Sequence, residues 1–340
     1  MINQVYRLTS PGVIDVACTT PDITGSVLLR PLYMSICKAD QRYYQGNRSK
    51  QALKSKLPMA LIHECVAKVE FDPTGTFKPG EIVVPVPNTP TEDDDVIAEN
   101  YRLSSYFCSS GHDGFLRDYV DISPDRLVRV PENTDLKIAA FAELISVAVH
   151  AVSRFDAFSH SRRDVIGVWG DGNVGFITSL VLKMLYPQSK VYVFGTVYQK
   201  LSCFSFADGT FHVDRVPDDL YIDHAFECVG GEASRYAISQ IIDRISPEGS
   251  IGLMGVSESP VSINTRMVLE KGLRLYGSSR SGVKDFEKTM EILSQNPQAI
   301  NYLETLVGDV VTVRTVADIH KAFASDISRS FGKTIIKWEK

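Results

Sequence analysis

The stretch IGVWGDGNVG, Ile166 to Gly175, decides the fold. Apolar residues at Val165, Ile166, Val168 and Trp169 run straight into glycines at 170, 172 and 175, and apolar residues resume at once in VGFITSLVLKMLY. A strand that ends in three glycines so spaced and opens directly into a helix is either a bare turn or a cradle for phosphate. In the second reading Gly170 allows the tight turn, Gly172 lets the backbone approach a pyrophosphate, and Gly175 lets helix and strand pack closely. The helix start adds free N–H groups and the positive end of its dipole. The strand before and the helix after favour the cradle.

Working outward, KVYVFG reads as a strand, QKLSCFSFA as a helix, TFHVD and HAFECVG as strands, EASRYAISQIIDRI as a helix, and SIGLMGV and LRLYGSS as strands. Strand–helix alternation of this kind predicts a parallel sheet with right-handed crossovers. The first 150 residues differ. SVLLRPLY (26–33), CVAKVEF (65–71) and EIVVPVP (81–87) are short β-like runs separated by the turn-like PTG and KPG. TEDDDVIAEN (91–100) reads as a solvated loop, and LKIAAFAELISVAVHAVSRF (136–155) as one long buried helix. The tail returns with the helical VKDFEKTMEILSQ and the strand-like GKTIIKW. The expected fold is α/β: a β-rich domain of residues 1–148 and 283–340, with a doubly wound parallel-sheet domain, 149–282, inserted into it.

Composition excludes several classes. The 340 residues are 44% hydrophobic and 23% charged, with a net charge of −5, which suits two ordinary globular domains. No basic face for nucleic acid is implied. No apolar run approaches the ~18 residues of a membrane span, and MINQVYRLTSPGV lacks a signal-like apolar segment, so a cytoplasmic protein is expected. The six cysteines, at 18, 37, 65, 108, 203 and 228, form no CxxC pair and predict no disulfide framework.

Dinucleotide sites that take NAD place a carboxylate at the end of the second strand, about 20 residues past the glycines, where it holds the ribose 2′-OH. That position is Gly195 here, followed by Thr196, Tyr198 and Lys200, which could hold a 2′-phosphate. NADPH is therefore expected over NADH, and Gly195→Asp is expected to shift the preference toward NADH.

A second constellation lies in the β-rich part. Cys37, in MSICKAD, precedes His63-Glu64, in PMALIHECVAKV, by 26 residues. Thiolate, imidazole and carboxylate are zinc ligands, and three of them with an open fourth position make a catalytic site. Taken together, Cys-x-x-Asp, His-Glu, the helix AELISVAVHA and GxGxxG resemble, in that order, the zinc-dependent medium-chain dehydrogenases, with Glu143-Leu-Ile-Ser-Val most similar to their polyol dehydrogenase branch. The resemblance implies a GroES-like catalytic domain and a Rossmann domain, with Cys37 and His63 as zinc ligands. Glu64 and Glu143 would be alternating ligands or partners of a water on the metal, and Asp40 the acceptor that orients His63. FECVGG, SIGLMGV and LYGSSR resemble later landmarks of the family. Asn173, Val174, Cys228, Val229, Gly230, Val256 and Ser279 thereby join the glycines as coenzyme-binding candidates.

Two departures stand out. The family often carries Ser or Thr two residues after the ligand cysteine, as a proton relay; here that residue is Ala39. Many members bind a structural zinc with four clustered cysteines, but only Cys108 occurs between 88 and 115, so one zinc is expected. The runs PLYMSICKADQRYYQGNR, LPMALIHE, VPNTPTEDDDVIAENY, SSGHDGF and WGDGNVG further resemble the ribulose-5-phosphate reductases of Gram-positive bacteria. That resemblance implies reduction of D-ribulose 5-phosphate to D-ribitol 5-phosphate for CDP-ribitol and ribitol teichoic acid. It also implies a sugar-phosphate substrate, a homo-oligomer such as a dimer, and a cytidylyltransferase as the next enzyme. Arg42, Arg48 and Arg280 are candidates for the substrate phosphate, and His112 for a proton donor. The rival readings are an NAD-dependent polyol dehydrogenase and a catalytically silent NADPH-binding protein.

Overall fold

The computed structural model describes residues 2–340. The chain forms two compact units: one runs up to Ser146 and resumes over Arg280–Lys340, the other is Val147–Ser279.

The first unit is β-rich. Its largest sheet has seven strands, with the path Leu127–Arg129, Ile82–Pro85, Glu64–Phe71, Val27–Ser35, Lys333–Trp338 and Val307–Val313, while Val120–Ile122 pairs separately with Val27–Ser35. Glu64 stands opposite Ser35 at the start of its strand, and Ser35 stands opposite Ile335 of the closing GKTIIKW strand. Residues 35, 64 and the 333–335 segment are far apart in sequence, yet this pairing makes them neighbours. Buried Val, Ile, Leu and Phe side chains fill the interior, among them Leu29, Val69, Phe115, Phe323 and Ile336.

Two sequence expectations change here. LKIAAFAELISVAVHAVSRF is not one helix: it divides into Leu136–Ala139 and Ala142–Phe158. The break follows Ala140 and Phe141, both fully buried, and it sets Glu143 in the first turn of the longer helix. In the second unit QKLSCFSFA is helical only over Tyr198–Leu201. The chain leaves the helix there to put Phe204 and Phe206 against Phe176, at ring separations of 5.1 and 5.0 Å. Packing the half-buried Phe206 and the buried Phe204 on Phe176 offsets a few helical hydrogen bonds.

The second unit is a six-stranded parallel sheet in the order Gly209–His212, Lys190–Gly195, Val165–Trp169, His224–Glu227, Ser250–Leu253, Arg274–Gly277. This is the doubly wound arrangement in which the first strand is central and the order reverses beside it. Strand Val165–Trp169 is buried at Ile166 to Trp169, as a strand covered on both faces must be. Trp169 stacks on Phe194 with ring centroids 3.8 Å apart. Helix Asn173–Leu185 starts at the glycines, with Gly172 as its N-cap.

Candidate functional site

In the first unit, Cys37 caps helix Lys38–Tyr44, and His63 and Glu64 lie where the chain enters the strand Glu64–Phe71. Cys37, His63 and Glu64 bring one ligand atom each to within 4.8 Å of one another. Asp40 is fully buried beneath them. It accepts from the Cys37 N–H at 3.1 Å, the Ile62 N–H at 3.0 Å and the Ser109 hydroxyl at 2.6 Å. Ile62 and Ser109 both have positive φ, 73° and 62°. Such strained backbone is costly for non-glycine residues and persists where a site demands it. Asp40 thus fixes the approach to the cysteine and the histidine together. His63 Nδ1 lies 3.6 Å from Asp40 Oδ2, near enough for charge attraction but beyond hydrogen-bond length.

The electrostatics fit a cation. Burial disfavours a charged His63, but Asp40 and then Cys37 outweigh it and hold the ring well above the usual imidazole range. Burial raises Asp40, yet His63, Ser109 and the Ile62 N–H bring it below the ordinary carboxyl value. Glu64 is buried and bonded through Oε1 to Lys333 Nζ at 2.7 Å, whereas its Oε2 has no hydrogen-bond partner among the described residues. An orphaned buried carboxylate oxygen beside a thiol and an imidazole suits a metal ion.

Lys333 is the residue the sequence reading missed. It is 3% exposed in its side chain. Burial works against its charge, but Glu64 above all reverses the effect and raises it. The only sequence signal was a lysine at the head of an apolar strand, where a solvated side chain is the ordinary expectation.

Glu143 is 6% exposed and is not one of the three groups that close on each other. Burial first, then Glu64 and Asp40, push its carboxyl up, against the pull of His63 and Lys333. Ser146, one turn on, donates to the Glu143 carbonyl at 2.6 Å and bonds Ser281 at 2.7 Å.

The three arginine candidates separate. Arg280 has φ +58°. Its guanidinium lies 4.9 Å over the Phe107 ring, and Phe107 in turn lies 5.4 Å from the His63 ring. Arg280 therefore reaches the environment of the metal-type cluster. Arg48 lies 4.9 Å over the Tyr43 ring, and Arg42 is in the last turn of helix Lys38–Tyr44. His112 is exposed and packs on Tyr106, 4.7 Å away.

In the second unit a cavity of about 580 Å³ opens at the glycine-rich turn. Of the coenzyme candidates, Gly170, Gly172, Gly195, Thr196, Lys200, Cys228 and Val229 line it; Asn173, Val174, Gly175, Gly230, Val256 and Ser279 are not among its lining residues. Gly175 has another duty: a Cβ there would stand 1.9 Å from the Gly170 carbonyl oxygen. Gly230 has φ +70° and lies against the Val256 backbone, where a Cβ would meet its carbonyl oxygen at 3.0 Å. The buried Glu227 carboxylate accepts from the N–H groups of Val229 at 2.8 Å and Gly230 at 2.9 Å, and so shapes this loop. Sequence reading also passed over Asp171, Asp214, Tyr236 and Gln240, which line the cavity.

The Gly195→Asp change meets an obstacle in the fold. A Cβ at Gly195 would stand 2.6 Å from the Cβ of Asp171 and 2.7 Å from its Oδ2. A side chain at 195 would therefore meet Asp171 at its first carbon.

Residues 24–132 match the alcohol dehydrogenase GroES-like domain. The chain is 55% identical, over 340 residues and the full length of both proteins, to the ribulose-5-phosphate reductase of Bacillus spizizenii. It is 54% identical over 339 residues to ribulose-5-phosphate reductase 1 of Staphylococcus aureus, covering 99% of each chain. The crystal structure of S. aureus TarJ in complex with NADPH superposes with a TM-score of 0.90 at 48% identity, covering all of both chains. A GroES-like first unit, a parallel-sheet second unit and full-length identity above half place the chain in the ribulose-5-phosphate reductase family of medium-chain dehydrogenases.

Proposed function

We propose that the protein reduces D-ribulose 5-phosphate to D-ribitol 5-phosphate with NADPH at one catalytic zinc. The identity of 55% along a whole ribulose-5-phosphate reductase carries this reading. The NADPH bound by TarJ supports the coenzyme. When bound, zinc polarises the C2 ketone of the substrate and NADPH supplies the hydride.

The chain's own residues have the remaining tasks. Cys37 and His63, with Glu64, would hold the zinc, and Glu143 stands next in line as ligand or proton carrier. Asp40 keeps Cys37 and the Ile62–His63 turn in position. Lys333 anchors Glu64 through one oxygen, leaving the other for the metal. Ala39 has no hydroxyl with which to pass a proton, so Glu143 is the candidate for bringing one to the reduced C2 oxygen. Arg280, itself at positive φ and stacked on Phe107, is the first choice for the substrate phosphate, ahead of Arg42 and Arg48. Gly170, Gly172, Thr196 and Lys200 would receive the coenzyme phosphates.

The protein would work in the cytoplasm as a homodimer and pass its product to a cytidylyltransferase that makes CDP-ribitol. Turnover with NADPH is the test. Ribulose 5-phosphate should be consumed far faster than ribulose, with ribitol 5-phosphate as product and about one zinc per chain. Equal turnover of ribulose, or full activity after rigorous chelation, would refute the reading.

A further inference from the structure

The strand Lys190–Gly195 ends beside the glycine-rich turn, and Asp171 of that turn reaches across to it. Asp171 Oδ2 accepts from the Thr196 N–H at 2.7 Å and from the Val197 N–H at 2.8 Å. Across from this bond, His212 Nε2 lies 3.1 Å from the Thr196 carbonyl oxygen, and His212 Nδ1 accepts from the Asp214 N–H at 3.3 Å. With Nδ1 accepting, the ring carries its proton on Nε2 and donates it to Thr196. Thr196 is therefore pinned through both its N–H and its C=O. Asp171, Gly195, Thr196, Lys200 and Asp214 all line the same cavity.

The clash that a Cβ at Gly195 would make is with the Cβ of Asp171 as well as with Oδ2. A carboxylate held by two amides is not a loose side-chain end that can swing away. Its charge is directed onto those two N–H donors, which strengthens both bonds. The fold thus carries its acid on the turn rather than at the strand end.

We propose that Asp171 is the positioning residue that sets coenzyme choice: it fills the strand-end volume, keeps position 195 glycine, and holds the 196–200 loop so that the Thr196 hydroxyl and the Lys200 ammonium meet the 2′-phosphate. The inference rests on the NADPH reading above. It differs from a simple lack of acid at position 195 in one respect. Changing Gly195 alone cannot convert the site, because Asp171 stands in the way, whereas moving the carboxylate from 171 to 195 can.

Isothermal titration with adenosine 2′,5′-bisphosphate and with 5′-AMP, which differ only in the 2′-phosphate, tests this, with thermal melts to verify folding. The wild-type chain should favour the bisphosphate. Asp171→Ala should weaken the bisphosphate ~10-fold or more while 5′-AMP stays within ~3-fold, the size expected for losing charge-assisted bonds that order a binding loop. Asp171→Asn should restore most of the preference, since its amide oxygen can accept from both N–H groups. Gly195→Asp should weaken both ligands, and Asp171→Gly with Gly195→Asp should recover 5′-AMP and reject the bisphosphate. An unchanged ligand ratio in Asp171→Ala, or a Gly195→Asp chain that binds 5′-AMP normally and rejects the bisphosphate, would overturn the inference and leave the NADPH reading standing. A wild-type chain that binds both ligands equally would overturn the NADPH reading and this inference with it.

Discussion

The two units build their sites in opposite ways. In the second unit the glycine turn and the next strand end, residues 169–200, are one crossover apart in sequence and line half of the cavity, the rest coming from residues 213–240 of the same unit. In the first unit, Cys37, His63, Glu64, Glu143 and Lys333 come from a helix cap, a strand entry, a helix start and a C-terminal strand. The first kind of site starts from backbone, the N–H groups, glycines and dipole of the turn, with side chains added from the neighbouring strand ends. The second is entirely side chains, held by long-range pairing. A contiguous backbone site should fail locally when changed, and a dispersed one should fail together with the fold that assembles it.

The largest effect expected is in the dispersed site. Cys37→Ser should lose metal and activity together. The activity loss should exceed the ~10–100-fold typical of changes to a metal ligand's partners. Metal analysis and turnover on one preparation decide this; retention of full zinc would break the assignment of Cys37.

Lys333→Met comes next. It leaves a buried Glu64 carboxylate without its partner, which costs ~3–5 kcal/mol when no other cation compensates. Urea denaturation of metal-free protein should show the loss, and added zinc should recover part of it. If Lys333→Met were as stable as the wild type, the buried pair would not be holding the dispersed site together.

Gly175→Ala attacks the contiguous site. Its Cβ would meet the Gly170 oxygen at 1.9 Å, so helix and turn must separate, at ~1–3 kcal/mol for overpacking of this kind. Nucleotide binding should fall while zinc content stays near normal. Loss of zinc in this variant would show the two sites to be less independent than their construction implies.

His224 provides a pH-dependent contrast within the second unit. Burial foremost, and then His160, lower it from 6.5 to about 4. Its Nδ1 accepts from the Ser250 N–H at 3.1 Å and its Nε2 lies 2.9 Å from the Arg162 carbonyl, so the neutral ring satisfies both bonds. The folded chain binds fewer protons here than the unfolded chain. The stability contributed is complete above pH ~6.5 and is lost as pH falls toward 4, amounting to at most ~3 kcal/mol. Thermal melts between pH 7 and 4.5 should show a decline that His224→Gln lessens. Identical pH profiles for the two proteins would refute it.

The smallest effect is at Arg280. Arg280→Gln should weaken ribulose 5-phosphate turnover by about one to two powers of ten, the value of one charge-assisted contact, and leave residual ribulose turnover nearly unchanged. Equal loss on both substrates would remove Arg280 from phosphate binding.

Much of this was readable from residues alone. A strand, three spaced glycines and a helix are a local code, because a tight turn, a close backbone approach and close helix packing each require glycine at a fixed offset. The alternation of strands and helices after residue 150 made the parallel sheet legible in the same way. Cys37 with His63-Glu64 was legible as ligand chemistry, and its likeness to a family supplied the arrangement. What tertiary structure alone decided are the partners set by pairing and packing. Lys333 meets Glu64 because residues 35, 64 and 335 share one sheet. The 136–155 segment breaks at the fully buried Ala140 and Phe141, and Asp171 crowds the side-chain position of residue 195. Local conformation follows from neighbours along the chain; which buried charge finds which counter-charge, and which side chain fills a given volume, depends on contacts between residues that the sequence keeps far apart.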